Sequence, residues 1–361
     1  MSLEFWYCAV ILIAAGLAIP LMLALERLGP RLGMVDRPRV GEVQQRPLPR
    51  TGGYGVFAAF WLAVLAGFAV APDAVERLPA DTHRLLGVAL GSLMLIPLAV
   101  ADDRRRLGPW PQLAGQIAAA SVAVVFGVRM EEIATPAGVV AIPDPVGSLL
   151  AVVWIVAMIN AINLIDTMDG LAAGVSAIAG FVLFLRSAWF GQASIAILPA
   201  ALCGACLGFL TRNWHPSRII LGSSGALFLG YMLGVVTLIG GAKIGTAFLV
   251  LAVPILDVAW VIYRRVSRGR SPFRGGDAEH LPHRLRALGM SDPAIAISLY
   301  AVCAAVGLAI LLMHSTMPGP EKAVLAAGVV FGVLGALMTI ARREDAKRRH
   351  ANATEAAGNA R

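Results

Sequence analysis

Long apolar runs separated by short charged or Pro/Gly-rich breaks dominate the chain. They mark eleven candidate spans near residues 5–26, 52–71, 84–101, 111–128, 146–164, 171–188, 193–211, 221–240, 244–262, 292–313 and 322–341. A run of about 18 or more apolar residues is long enough to cross the hydrocarbon layer as a helix. Gln112, Gln116, Asp166 and Asp257 crowd the fourth, fifth and ninth runs, whose limits are the least defined. The expected fold class is therefore all-α, a polytopic integral membrane protein. The first run carries Glu4 where a signal peptide has basic residues, and arginines follow it, so a retained span is expected. Residues 1–343 are read as a single transmembrane domain, and the polar, Ala-rich residues 344–361 as a disordered tail.

Charge orients this pattern. If the breaks after odd-numbered spans face the cytoplasm, 24 of the 30 Lys and Arg lie inside. Basic loops are retained on that side, so the N-terminus is expected outside, and the C-terminus and tail inside. A 58% hydrophobic, 14% charged composition excludes an ordinary soluble fold. The net charge of +8 is explained by topology and anionic headgroups, and no nucleic-acid module is evident. Cys8, Cys203, Cys206 and Cys303 all sit in apolar runs and indicate no disulfide framework.

With that orientation, nearly every polar cluster of catalytic type falls at the inner interface. Carboxylates near hydrocarbon are costly unless hydrated or paired, so their recurrence at one face suggests a shared wet site. Asp102 and Asp103, followed by three arginines, fit either a solvated helix end or a phosphate and cation site. Asn160, Asn163, Asp166 and Asp169 recur at three-residue spacing. Successive steps of three retreat by about 60° around a helix, so all four share a ligand only if the helix ends or bends near residues 167–170. Interhelical hydrogen bonding is the plainer alternative. Asn213 to Arg218 run into a Gly/Ser turn, Gly222 to Ala226, that suits either phosphate binding at a helix start or close helix packing. The loop from Tyr263 to Gly289 carries Asp277, His280, His283 and Arg284. Histidines beside arginines suit a diphosphate; zinc, and a positive-inside loop with incidental histidines, are the alternatives.

Taken in this order, from about Pro38 to Gly289, these segments resemble the polyprenyl-phosphate N-acetylhexosamine-1-phosphate transferase family. Pro47 to Gly53, Pro254 to Asp257 and the Gly208 to Leu210 helix end add to the match. The resemblance implies an enzyme of the bacterial inner membrane with a cytoplasmic active site. There undecaprenyl phosphate attacks the β-phosphorus of a UDP-N-acetylhexosamine with Mg²⁺, or Mn²⁺, present, as the first membrane step of a cell-envelope glycan pathway. It further implies catalytic roles for Asp102, Asp103, Asp166 and Asp169, and a metal held by Asn163 and Asp166. Arg50, Asn160, Asn213, Asp277, His280, His283 and Arg284 would bind substrate, and a homodimer is left open. Four positions depart from the family pattern. Ser223 stands where an aspartate ligand is expected, Glu42 and Gln44 replace basic residues, and Pro282 replaces a histidine. A weakened homologue that only binds polyprenyl phosphate or a partner enzyme, and a transporter, are the competing readings.

Overall fold

A computed structural model describes residues 5–37, 46–135, 138–240, 251–269, 280–316 and scattered residues between 328 and 343. Glu42, Gln44, Asp277, the first half of the expected ninth span and the 344–361 tail lie outside the described residues. The helices are α1 (Phe5–Arg31), α2 (Gly52–Val70), α3 (Pro72–Arg105), α4 (Pro109–Val125), α5 (Asp144–Ile165), α6 (Leu171–Trp189), α7 (Ala193–Asn213), α8 (Gly222–Ile239), α9 (Ala252–Ser267), α10 (Leu281–Ala287) and α11 (Asp292–Thr316). Two short antiparallel hairpins, β1 (Val35–Asp36) with β2 (Leu48–Pro49) and β3 (Glu132–Thr135) with β4 (Gly138–Ala141), lie between helices.

Among the described residues, 8 helices are long and apolar enough to cross a membrane: α1, α2, α3, α5, α6, α7, α8 and α11. In hydrocarbon a helix satisfies its own backbone, so apolar runs of this length have few alternatives. The expected fourth span appears as α4, only 17 residues long. One expectation is corrected at α3, which begins at Pro72 and not near residue 84. Proline suits a first helical turn, so the charged stretch after it continues the helix. At 1.5 Å per residue, 34 residues make about 50 Å, so α3 projects well beyond a hydrocarbon core of about 30 Å.

Small residues seat these helices. Gly204 and Gly208 of α7 face α1 so closely that a Cβ would lie 2.1 Å from the Ile11 carbonyl oxygen and 2.6 Å from that of Ala15. Gly230 and Gly234 of α8 do the same against Ile159 and Ile155 of α5. Both pairs are four residues apart, the spacing that lets helix backbones approach where lipid provides no hydrophobic drive. Trp154 of α5 also donates to the Thr237 hydroxyl of α8 at 2.9 Å.

Loop contacts divide the bundle into two ends. At one end Gly52 N–H donates to Ile220 O, Gly53 N–H to Leu221 O, and Arg212 pairs with Glu26 at 2.5 Å. At the other, His83 meets Phe126 O, Ser194 donates to Asp81, and Ser187 donates to Gly240 O. Helices α1 to α8 thus alternate in direction, and the loops joining α1 to α2, α3 to α4, α5 to α6 and α7 to α8 share one end.

Candidate active site

The shared end gathers side chains from four helix termini. Asp102 and Asp103 occupy the last turn of α3, which Arg106 closes in a left-handed conformation, φ 49°. Asp102 accepts from Leu107 N–H at 2.8 Å and Gln112 Nε2 at 2.6 Å through one oxygen, and from the Ser223 hydroxyl through the other. The Asp103 side chain is 0% exposed, so its charge needs partners. Ser223 N–H at 3.0 Å, Tyr54 Oη at 3.1 Å and Arg50 Nε at 3.4 Å supply them. Arg50 also reaches Asp36 at 3.3 Å and the Ser223 hydroxyl at 3.4 Å, and Arg106 pairs with Asp36 at 2.7 Å.

Close backbone approach makes this meeting geometrically possible. A Cβ on Gly53 would lie 1.9 Å from Gly225 N, so the start of α2 presses on the start of α8 and brings Arg50 to Ser223 and Tyr54 to Asp103. Gly222 precedes Ser223 with φ +69°, a turn few side chains tolerate.

Helix α5 ends at Ile165, so Asp166 and Asp169 leave the helical path and Gly170 turns with φ +76°. Asp166 is half-buried at this end, and burial pushes its carboxyl up to about 7. Arg50 opposes that rise while Asp169 and Asp103 add to it, so these four groups share one electrostatic neighbourhood. Asp169 accepts from His215 Nδ1 at 2.9 Å and Ser217 N–H at 3.1 Å. Asn213 spends its amide on backbone, accepting from Gly170 N–H at 2.9 Å and donating to Ile219 O at 2.8 Å. Asn160 lies a turn and a half inside α5 and donates to Gln116 Oε1 at 2.7 Å, an interhelical bond.

The histidine segment is tied to α9. His280 Nδ1 lies 2.9 Å from Asp257 Oδ2, both side chains 2% exposed, and Leu281 N–H donates to Asp257 Oδ1 at 2.8 Å. Arg284 is fully buried with its guanidinium 6.0 Å from the Trp260 ring centre, and His283 Nδ1 lies 3.3 Å from Arg286. Tyr54, Gln112, Asp36, Asp257 and His215 are thus partners of expected site residues to which sequence reasoning assigned no role. Asp257 and His215 do fall in segments the sequence singled out, Pro254 to Asp257 and Asn213 to Arg218, whereas Tyr54, Gln112 and Asp36 carried no such signal.

Among the described residues no three His, Cys, Asp or Glu side chains form a metal-binding group. Asp102 and Asp103 have both oxygens engaged by protein donors, with Arg50 alongside, and do not fit a cation as arranged. Asp166 fits better: among the described residues no protein donor engages its half-buried carboxylate, burial and the neighbouring Asp169 and Asp103 disfavour its charge, and the half-buried amide of Asn163 lies three residues before it. A hard cation with several retained waters needs only one or two such ligands.

The family model described as glycosyl transferase family 4 matches residues 85–241. The chain is 32% identical over 350 residues to the decaprenyl-phosphate N-acetylglucosaminephosphotransferase of Mycolicibacterium smegmatis, covering 87% of this chain and 83% of that protein. The chain belongs to glycosyl transferase family 4. A probable undecaprenyl-phosphate N-acetylglucosaminyl 1-phosphate transferase of Bacillus subtilis is also 32% identical, over 77% of this chain and 76% of that protein. The undecaprenyl-phosphate alpha-N-acetylglucosaminyl 1-phosphate transferase of Escherichia coli K12 is 26% identical over 74% and 73%. The family 4 match runs from α3 to just past α8 and so contains the Asp102, Asp103, Asp166, Asp169 and Ser223 cluster, while Arg50 and the His280 segment flank it.

Proposed function

We propose that this family 4 protein transfers a HexNAc 1-phosphate from a UDP-sugar to undecaprenyl phosphate at the cytoplasmic face of the bacterial inner membrane, releasing UMP. The observation that carries the reading is the meeting of Arg50, Asp103, Asp166 and Ser223 at one end of the bundle. The acceptor phosphate hangs from a lipid and the donor is dissolved in water, so their phosphates meet only at an interface. The relatives' names support the acceptor and sugar classes, and a cell-envelope glycan is the product's destination in this reading. The distribution of 24 of 30 basic residues supports the N-terminus out, with the clustered end and the 344–361 tail inside; eleven crossings and residues 1–343 as one catalytic domain are part of the same proposal.

In the reaction an oxygen of the lipid phosphate attacks the β-phosphorus of the donor, and the bond to the UMP oxygen breaks. A phosphate monoester is largely ionised near neutral pH, so positioning and charge neutralisation outweigh proton removal. Asp103 and Asp36 hold the forked Arg50 guanidinium at this end of the bundle, where it can neutralise phosphate oxygens. Asp102 and Asp103 orient the acceptor through this frame. Asp166 and Asp169 serve the donor side, the half-buried His283 reaches the diphosphate while the buried His280 and Arg284 hold its segment in place, and Asp277 reads the sugar. Asp166 with Asn163 would hold Mg²⁺ or Mn²⁺, which supplies further neutralising charge when bound.

One observation favours a second reading, a homologue that binds polyprenyl phosphate with little turnover: the Ser223 hydroxyl and Arg50 leave Asp102 and Asp103 fully satisfied. Purified protein given radiolabelled UDP-GlcNAc, undecaprenyl phosphate and Mg²⁺ separates the two. Label in a lipid-linked product supports the transferase; none with any UDP-HexNAc sinks it.

A further inference from the structure

We infer that the end of the bundle opposite the candidate active site carries a second anion site, in which Arg186 of α6 holds a phosphate group, borne by an anionic lipid of that leaflet or dissolved in the adjoining water. Arg186 lies in the last turn of α6 and is only 7% exposed. Among the described residues no carboxylate pairs with it, and its Nε is buried without a hydrogen-bond partner. Its guanidinium carbon stands 4.8 Å from the centre of the Phe190 ring. A ring face attracts a cation but offsets only part of the cost of taking a full charge out of water. Its neighbours do not make up the difference. The Ser187 hydroxyl is committed to Gly240 O at 3.1 Å, and Gln192 Oε1, two residues past Phe190, is itself buried without a donor. Even a Gln192 amide turned toward Arg186 is neutral and leaves the charge uncompensated.

Depth selects the kind of anion. Trp189 and Phe190 follow at once and are 40% and 41% exposed, and aromatic side chains collect where hydrocarbon meets headgroups. Arg186 lies about one turn, roughly 5 Å, inside that level. An arginine so near the boundary ordinarily extends its stem until the guanidinium reaches water. This one stays buried, at a depth where lipid phosphates are the anions at hand. The planar guanidinium fork matches two phosphate oxygens, and basic positions between transmembrane helices take lipid headgroups. Arg77 of α3 brings a second cation to the same turn from the water side: its Nη2 would lie 3.9 Å from a Cβ on Gly191, and it pairs with no carboxylate among the described residues. The acids of that stretch of α3 leave the site open. Asp81 accepts from the Ser194 hydroxyl, while Asp73 and Glu76 are exposed and make no ion pair with Arg186.

The test is a thermal-shift titration of the full-length protein, stripped of lipid in detergent, with phosphatidylglycerol, with phosphatidylcholine and with inorganic phosphate. Phosphatidylglycerol should raise the wild-type melting temperature by several degrees more than phosphatidylcholine does. Arg186→Met should melt no lower than the wild type without lipid, because an uncompensated charge has gone, and should lose the phosphatidylglycerol gain. Arg129→Gln, which removes an exposed arginine at the same end, should keep that gain. A gain with phosphatidylglycerol alone assigns the site to lipid, and a gain with millimolar inorganic phosphate, abolished in Arg186→Met, assigns it to the dissolved anion. No Arg186-dependent gain with either probe overturns the inference, as does a folded Arg186→Met that melts below the wild type without lipid. Should Arg186→Met fail to fold, Arg186→Lys replaces it; it keeps the charge without the fork and should retain only part of the gain, and a full gain overturns the inference. None of these readouts needs turnover, so the result stands or falls apart from the transferase reading.

Discussion

Replacing Ser223 by aspartate tests the electrostatics of the cluster directly. The Ser223 hydroxyl donates to Asp102 and its N–H to Asp103, so a carboxylate there stands beside two others, with Arg50 the only cation touching the position among the described residues. Two unit charges about 4 Å apart at an effective dielectric of about 20 repel by about 4 kcal/mol. Two such contacts against one attraction of similar size leave a net cost of about 4 kcal/mol, plus about 1.5–3 kcal/mol for the lost bond to a charged acceptor. Metal-free Ser223→Asp should therefore unfold several degrees below wild type in a detergent thermal-shift assay. A divalent cation reverses the sign of the interaction, so millimolar Mg²⁺ should restore more than the deficit in the variant and shift the wild type little. The Mg²⁺ concentration for half-maximal transfer should fall by at least tenfold. Equal melting temperatures with EDTA, or a Mg²⁺ response no larger than wild type, would refute the placement of Asp102, Asp103 and position 223 around one charge-sensitive point.

Asp166, held up at about 7, binds a cation only when ionised, so Mg²⁺ affinity should climb about tenfold per pH unit below 7 and level off above it, as read by a Mg²⁺ titration of activity from pH 5.5 to 8.5. Its proton is bound more tightly in the fold than in the unfolded chain, so without cation its ionisation removes stability as pH rises from about 4 to about 7. The metal-free melting temperature should fall across that window, and Asp166→Asn should lose the decline. Arg50→Ala strands the buried Asp103 carboxylate and should cut transfer at least a hundredfold, with Arg50→Lys recovering only part because one ammonium cannot span Asp36, Asp103 and Ser223. Gly204→Leu drives a side chain into the Ile11 backbone and should abolish folded protein on size-exclusion chromatography, whereas Leu at the uncrowded Gly16 should be tolerated.

The apolar runs alone determined the helices. In hydrocarbon an unsatisfied backbone is so costly that a 20-residue apolar stretch has little choice, and for this reason the runs around α1, α2, α5, α6, α7, α8 and α11 could be placed to within a few residues. The spacing of Asn160 to Asp169 likewise carried the end of α5, because four polar groups retreating around a helix cannot remain in lipid. Where hydropathy is silent the sequence was silent too: the polar first turns of α3 continue a helix that only caps and packing define. Partnership was the part that only the tertiary structure decided. Asp103 finds Tyr54 and Arg50 some fifty positions away because Gly53 and Gly225 let two backbones touch, and Asp169 finds His215 because Asn213 ties the two loops together. Local propensity acts over a few residues along the chain. A hydrogen bond across a bundle depends on where whole helices come to rest.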